Sequence, residues 1–157
     1  MDLARRYYEQ DDEKVLATVG KMLRPSGQIV LDITDGAYMA EHFERRSWEW
    51  IDEHHFVCRE RSISKEGDRL ISREVIVNDE TGVIADQFYA ERLYTKDSIS
   101  RLLEKTGFRN IRHHGHAEAV SDRDQDLGMM ARRILLTADA PQLPAAKPRY
   151  LMGVGTP

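Results

Sequence analysis

The sequence predicts an α/β domain that carries an antiparallel β-meander insertion. An amphipathic segment at residues 12–23 runs through a Pro-Ser-Gly turn into a short apolar strand. Three strand-like runs then follow one another between residues 48 and 94, separated by turn-forming clusters. A capped helix and two further strands come after them. Helical and strand periods in this order belong to a mixed fold.

Each element has a local cause. Val15, Leu16, Val19, Met22 and Leu23 make one apolar stripe on a helix from Asp12 to Leu23. Asp11 and Asp12 suit its positive end. Arg24-Pro25-Ser26-Gly27 stops it. Gln28 to Ile33 is apolar without clean alternation, which predicts a strand buried on both faces, as in a parallel sheet. Ala37 to Arg46 is expected as a short helix. The strands expected next are Trp48 to Ser62, Arg69 to Asn78 and Val83 to Tyr94. Thr95 is placed to cap a helix from Lys96 to Thr106, and Gly107 to end it with Phe108 packing back. Asn110 to His114 and Arg132 to Ala138 are the last strands. From residue 139 to 157 the chain is rich in proline and reads as a disordered tail.

Composition limits the functions open to it. The 157 residues suit one domain, and 41% hydrophobic with 32% charged residues describes a folded chain. A net charge of -4 implies no broad phosphate-binding surface, so nucleic acid is not an expected partner. No apolar run reaches the roughly 20 residues that span a bilayer. Met1 to Arg6 lack a following apolar stretch, so no secretory leader and no membrane partner are expected. The single cysteine, Cys58, leaves no internal disulfide and no multi-cysteine zinc site, and a cytoplasmic location is expected.

The order of helix, Leu23-Arg24-Pro25-Ser26-Gly27 and apolar strand resembles the C-terminal half of class I S-adenosylmethionine-dependent methyltransferases. So does Tyr94-Thr95 followed by a helix ending Leu102-Leu103-Glu104-Lys105-Thr106-Gly107-Phe108. The resemblance covers roughly residues 7 to 138. It implies a partial Rossmann-like fold over residues 5–138, with the insertion at 48–94 as a cover for the substrate. Of the family's strand order 3-2-1-4-5-7-6, the chain is expected to keep 5-7-6, leaving the first strand with an open edge. The resemblance implies methyl transfer from S-adenosylmethionine to a small-molecule acceptor. The glycine-rich loop that holds this cofactor in the family has no counterpart in the sequence, so the chain is expected to be incomplete alone. A homodimer or a complementing N-terminal half would complete it. The alternatives are a non-catalytic dimerisation or docking module, or a truncated fragment. Residues 147–157 are also similar to a segment of tRNA-guanine transglycosylase, which would make the tail a fusion remnant without its barrel.

Six residues, Tyr7, Tyr8, Asp32, Trp48, Arg92 and Tyr94, are candidates for substrate binding. Tyr7 and Tyr8 fall where the family's chain passes cofactor and substrate. Asp32 stands near the end of its strand, where open α/β sheets bind ligands. Trp48, with Trp50, Phe56, Phe88, Tyr89 and Tyr94, offers either an aromatic wall or the core of the meander. Arg92 adjoins that wall and suits an anionic group. His114 and His116 share a face if their strand continues, but no spacing completes a metal site, and none is expected. A histidine would serve as general base to the acceptor. The sequence does not single one out, and it leaves the catalytic and cofactor-binding residues unassigned.

Overall fold

The computed structural model describes residues 9–120 and 125–142. Helix α1 (Glu9–Met22) buries Leu16 but exposes Val15 and Met22, so its packed stripe is narrower than expected. In the turn that follows, the Gly27 N–H donates to Arg24 O at 2.8 Å. Ser26 takes φ +66° there. That left-handed conformation costs an L-residue about 1–2 kcal/mol. Strand β1 (Gln28–Thr34) comes next, then helix α2 (Gly36–His42). This helix stops short of Arg46 because Arg46–Trp50 pairs as β2 with β3 (His55–Ile63). The single strand expected over Trp48 to Ser62 is therefore two. The turn between them is closed by the Asp52 carboxylate, which accepts from the His54 and His55 N–H groups at 2.8 Å each.

β4 (Arg69–Asn78) and β5 (Gly82–Arg92) complete an antiparallel sheet of order β2-β3-β4-β5. Helix α3 (Lys96–Lys105) starts in a capping box. The Ser98 N–H donates to Thr95 Oγ1 at 3.2 Å, and the Thr95 N–H donates to Ser98 Oγ at 2.9 Å. Gly107, at φ +91°, ends it, and the Phe108 N–H returns to Leu103 O as its ring enters the core. β6 (Arg109–Glu118), a 3-10 turn at Gly128–Met130 and β7 (Arg132–Asp139) close the described chain.

β7 lies between β1 and β6 and is antiparallel to both. The order is the 5-7-6 that the resemblance implied. The expectation of a parallel-sheet strand at β1 is corrected: no parallel pairing, and so no Rossmann-like parallel order, exists among the described residues. β1 is not buried on both faces either. Ile29, Leu31 and Ile33 join Leu16, Leu102, Leu103, Phe108, Ile134, Leu136 and Ala138 in one core, whereas Val30 on the opposite face is exposed. The helices cover one face only.

The fold also extends beyond Ala138. Asp139 ends β7, Ala140 donates to Gly27 O at 2.8 Å, and a Cβ on Gly20 would stand 2.9 Å from the Pro141 ring. Tyr7, Tyr8 and the tail segment 147–157 lie outside the described residues. No helix among the described residues is long and apolar enough to cross a membrane.

The meander has an inverted polarity. Val57, Leu70 and Ser72 are buried on its inner face, among ion-paired arginines. Its outer face carries the register Trp48–Cys58–Val75 and Trp50–Phe56–Val77. Trp48 is 68% exposed, and Trp50 and Phe88 are exposed too. These aromatics are therefore not the core of the meander, and Cys58 is only half-buried.

Two substitutions test this account by chemical denaturation. Ser26→Gly should stabilise the protein by about 0.5–1 kcal/mol by relieving the left-handed strain, less the entropy glycine adds to the unfolded chain. Phe108→Ala should cost about 3–5 kcal/mol.

Candidate functional site

The ends of β1, β6 and β7 converge on Asp35. Its N–H donates to Arg132 O at 3.0 Å, and its Oδ1 caps α2 by accepting from the Tyr38 N–H at 3.3 Å. The next residue, Gly36, donates to Tyr94 O at 2.9 Å. A Cβ on Gly36 would stand 2.4 Å from the Leu93 carbonyl carbon, so only glycine allows this approach. Asp35 is thereby fixed with Oδ2 turned to a histidine and an arginine. His116 Nδ1 is 3.1 Å from it and Arg132 Nε is 3.5 Å. Asp35 is 9% exposed and His116 24% exposed, so water screens the pair weakly. Arg132 Nε is enclosed and makes no hydrogen bond, so its contact with Asp35 is Coulombic. The Arg132 guanidinium also lies over the Tyr38 ring at 5.4 Å and reaches Glu118 at 3.5 Å.

A β-bulge puts His116 in place. β6 pairs His113 with Leu136 and His116 with Ile134, so β6 holds one residue more than β7 over this stretch. Gly115, at φ +97°, takes the irregularity. Simple alternation would put His116 on the face of His114. The bulge instead leaves His114 bonded to Thr137 Oγ1 at 2.8 Å and turns His116 to Asp35. His113 pairs with Ser100 Oγ on α3 at 3.0 Å.

Asp35, Tyr38, His116 and Arg132 line an open cavity of about 500 Å³ with Thr95 and Lys96. A second cavity, also about 500 Å³, shares Tyr38, His42 and Arg132 with it and extends to residues 125–128. Asp126 borders that second space. Its carboxylate accepts from Ser47 and from Arg61, both at 2.5 Å, and Arg61 is 5% exposed. Burial alone would raise the Asp126 pKa, but Ser47, Arg61 and the Gly128 N–H together hold it below the usual carboxylate range.

The residues named from sequence fall elsewhere. Asp32 is exposed, pairs with Arg133 at 2.9 Å and lines neither cavity. Arg92 and Tyr94 both hold Asp12, at 2.8 Å each, and so tie α1 to the end of the meander. Trp48 is on the outer face. Sequence reasoning missed Asp35, Tyr38 and Arg132. The N-cap position of Asp35, just after a strand and before Gly36, was the signal that could have found it. Among the described residues, no group of three or more His, Cys, Asp or Glu is arranged to hold a metal ion.

No known protein family matches the sequence, and no curated protein does. Solved structures do match the fold. An S-adenosylmethionine-dependent methyltransferase from Clostridium acetobutylicum aligns with 86% of this chain and 53% of its own, at 15% identity and a TM-score of 0.62. The methyltransferase CcbJ from Streptomyces caelestis aligns with 85% of this chain and 51% of its own, at 10% identity and a TM-score of 0.60. The sugar N-methyltransferase KedS8 from Streptoalloteichus aligns with 86% of this chain and 51% of its own, at 16% identity and a TM-score of 0.50. The protein shares its fold with methyltransferases and spans about half their length. The similarity of residues 147–157 to tRNA-guanine transglycosylase is not shown by these structures, since that segment lies outside the described residues.

A cofactor such as S-adenosylmethionine needs a backbone cradle that glycines leave open. Gly36 is filled by Leu93, and Gly67, Gly82 and Gly115 stand singly in open turns or a bulge. The described residues therefore do not form that cradle.

The Gly36 contact is testable by itself. Gly36→Ala should cost about 1–3 kcal/mol in chemical denaturation through overpacking against backbone. A neutral result would mean that the junction is looser than its geometry.

Proposed function

We propose that this chain forms the acceptor side of an S-adenosylmethionine-dependent methyltransferase, with His116 as general base. The observation that carries the proposal is the Asp35–His116–Arg132 group lining a cavity at the ends of β1, β6 and β7. The fold shared with solved methyltransferases supports it. A nitrogen or oxygen nucleophile must shed a proton as it is alkylated, and an imidazole has its ordinary pKa near the working range. With Asp35 facing Nδ1, the proton of neutral His116 sits on Nδ1, and Nε2 is left to accept one from the substrate. Asp35 then stabilises the imidazolium that results. Arg132 orients the acceptor through its remaining donors, and the stacked Tyr38 ring holds the guanidinium. Histidine 42 also lines the cavity, but its carboxylate neighbour, Glu41, is an exposed partner at 3.8 Å. In this reading a complementing segment or chain would supply the cofactor cradle. The acceptor is a small polar molecule carrying an amine or hydroxyl. KedS8, a sugar N-methyltransferase, favours an amine among these.

The same reading places a second copy of this chain against the outer face of the meander. Trp48, Trp50, Phe88 and Val83 form an exposed apolar surface on one sheet. Sedimentation velocity should show a dimer that Trp48→Glu with Phe88→Glu converts to monomer. A monomer at all concentrations would remove the homodimer.

Transfer of labelled methyl groups from S-adenosylmethionine to a panel of amines and alcohols, with the complementing segment or chain present, tests the base. His116→Ala should lower the rate by about 10²–10⁴-fold, and Asp35→Asn should lower it while shifting the acidic limb of the pH profile. Circular dichroism confirms that the variants fold. Full activity in folded His116→Ala would overturn the assignment.

A further inference from the structure

A smaller cavity lies between the inner face of the meander and the 3-10 turn before β7, with a volume of about 160 Å³. That is the space of about five waters at liquid density, or of one small ring. Leu70, Leu127, Met129 and Met130 give it apolar walls, and Tyr89 and Glu91 give it polar ones. Glu91 Oε2 is enclosed and has no hydrogen-bond partner. Leaving such an oxygen unpaired costs free energy that an incoming donor recovers. Burial pushes the Glu91 carboxyl up to about 7, against the pull of Arg61 and Arg133. Burial also raises the Tyr89 hydroxyl, helped by Glu74 and Glu91, so it stays protonated and able to donate.

The charges choose the ligand. Arg59 is held by Glu49 at 2.5 Å and Glu74 at 3.0 Å, Arg61 by Asp126, and Arg133 by Asp32. An anion would meet Glu74, Asp126 and Glu91 with no unpaired arginine to compensate. With the Glu91 carboxyl near its midpoint at about 7, Arg59 and Arg61 roughly balance the lining carboxylates, so a cation gains too little attraction to offset its lost hydration. A neutral hydroxyl meets neither obstacle, and its donor suits Glu91 Oε2.

We infer that this cavity binds a neutral, hydroxyl-bearing ligand of single-ring size, its hydroxyl donating to Glu91 and its apolar edge resting on Met129 and Met130. The site is separate from His116 and does not depend on methyl transfer.

The test is an NMR titration of the full chain, labelled at its methionine methyl groups, with methyl glucopyranoside as probe. The Met129 and Met130 signals should shift saturably at millimolar probe, the range a single small ring supports. Binding should be several-fold tighter at about pH 8 than at about pH 6, since an ionised carboxylate is the stronger acceptor. The other groups facing Glu91 across the cavity or beside it are Arg59 and Arg61 on β3, Glu74 on β4, Tyr89 on β5, Arg133 on β7 and Asp126 before the turn. Glu91→Gln should therefore abolish the pH dependence and so isolate Glu91 from them. Tyr89→Phe should weaken binding and keep its pH dependence. Unmoved Met129 and Met130 signals in the folded wild type would overturn the inference. So would a shift by glucosamine but not by the glucoside, or an unchanged pH profile in Glu91→Gln.

Discussion

The junction at Asp35 and Gly36 is the constraint on which the rest of the structure depends. Two residues there connect five segments. The Asp35 backbone bonds β7, its side chain caps α2 and faces His116 of β6, and Gly36 bonds the chain between β5 and α3. A missing Cβ, at Gly36, lets two backbones approach closely enough for the 2.9 Å bond that joins them. One carboxylate thus caps a helix and faces a histidine and an arginine. The helix cap fixes Oδ1, which leaves Oδ2 for the histidine and the arginine.

The meander shows how the second layer is positioned. Its inner face is polar and nearly dry, which is stable only where every charge finds a partner. Arg59 sits between Glu49 and Glu74, and Arg61 reaches across to Asp126 on the loop before β7. The Arg61 contact attaches that loop to the meander and so closes one wall of the larger cavities. Such pairs add less net stability than apolar packing does, because both ions give up their hydration. They do specify which loop packs where. Glu49 and Glu91 each keep one buried oxygen unpaired on this face, but Glu49 holds Arg59 through its other oxygen.

Much of the architecture was legible because its causes are local. Thr95, Gly107 and Phe108 announced α3 and its two ends, and Pro25 with Gly27 announced the turn before β1. Strand order followed from the resemblance. What failed depended on distant partners. Trp48 to Ser62 has strand character throughout, and only the Asp52 turn divides it. β1 is apolar enough for a two-faced strand, yet Val30 has no layer over it among the described residues. The site was the least legible part. Asp35 and His116 meet through a bulge at Gly115, and a bulge changes which face a side chain takes without altering the residue pattern. Reading simple alternation grouped His116 with His114. Asp32 drew attention to the correct end of β1, but the carboxylate that faces His116 is the one just before α2.

The central claim is that Asp35 holds the proton of His116 on Nδ1 and leaves Nε2 open to the cavity. Nitrogen-15 NMR of the histidine side chains, assigned through His116→Gln, reports it directly. The account predicts a neutral His116 with a protonated Nδ1 and an unprotonated Nε2, and loss of this preference in Asp35→Asn. A His116 with its proton on Nε2, unaffected by Asp35→Asn, would contradict it.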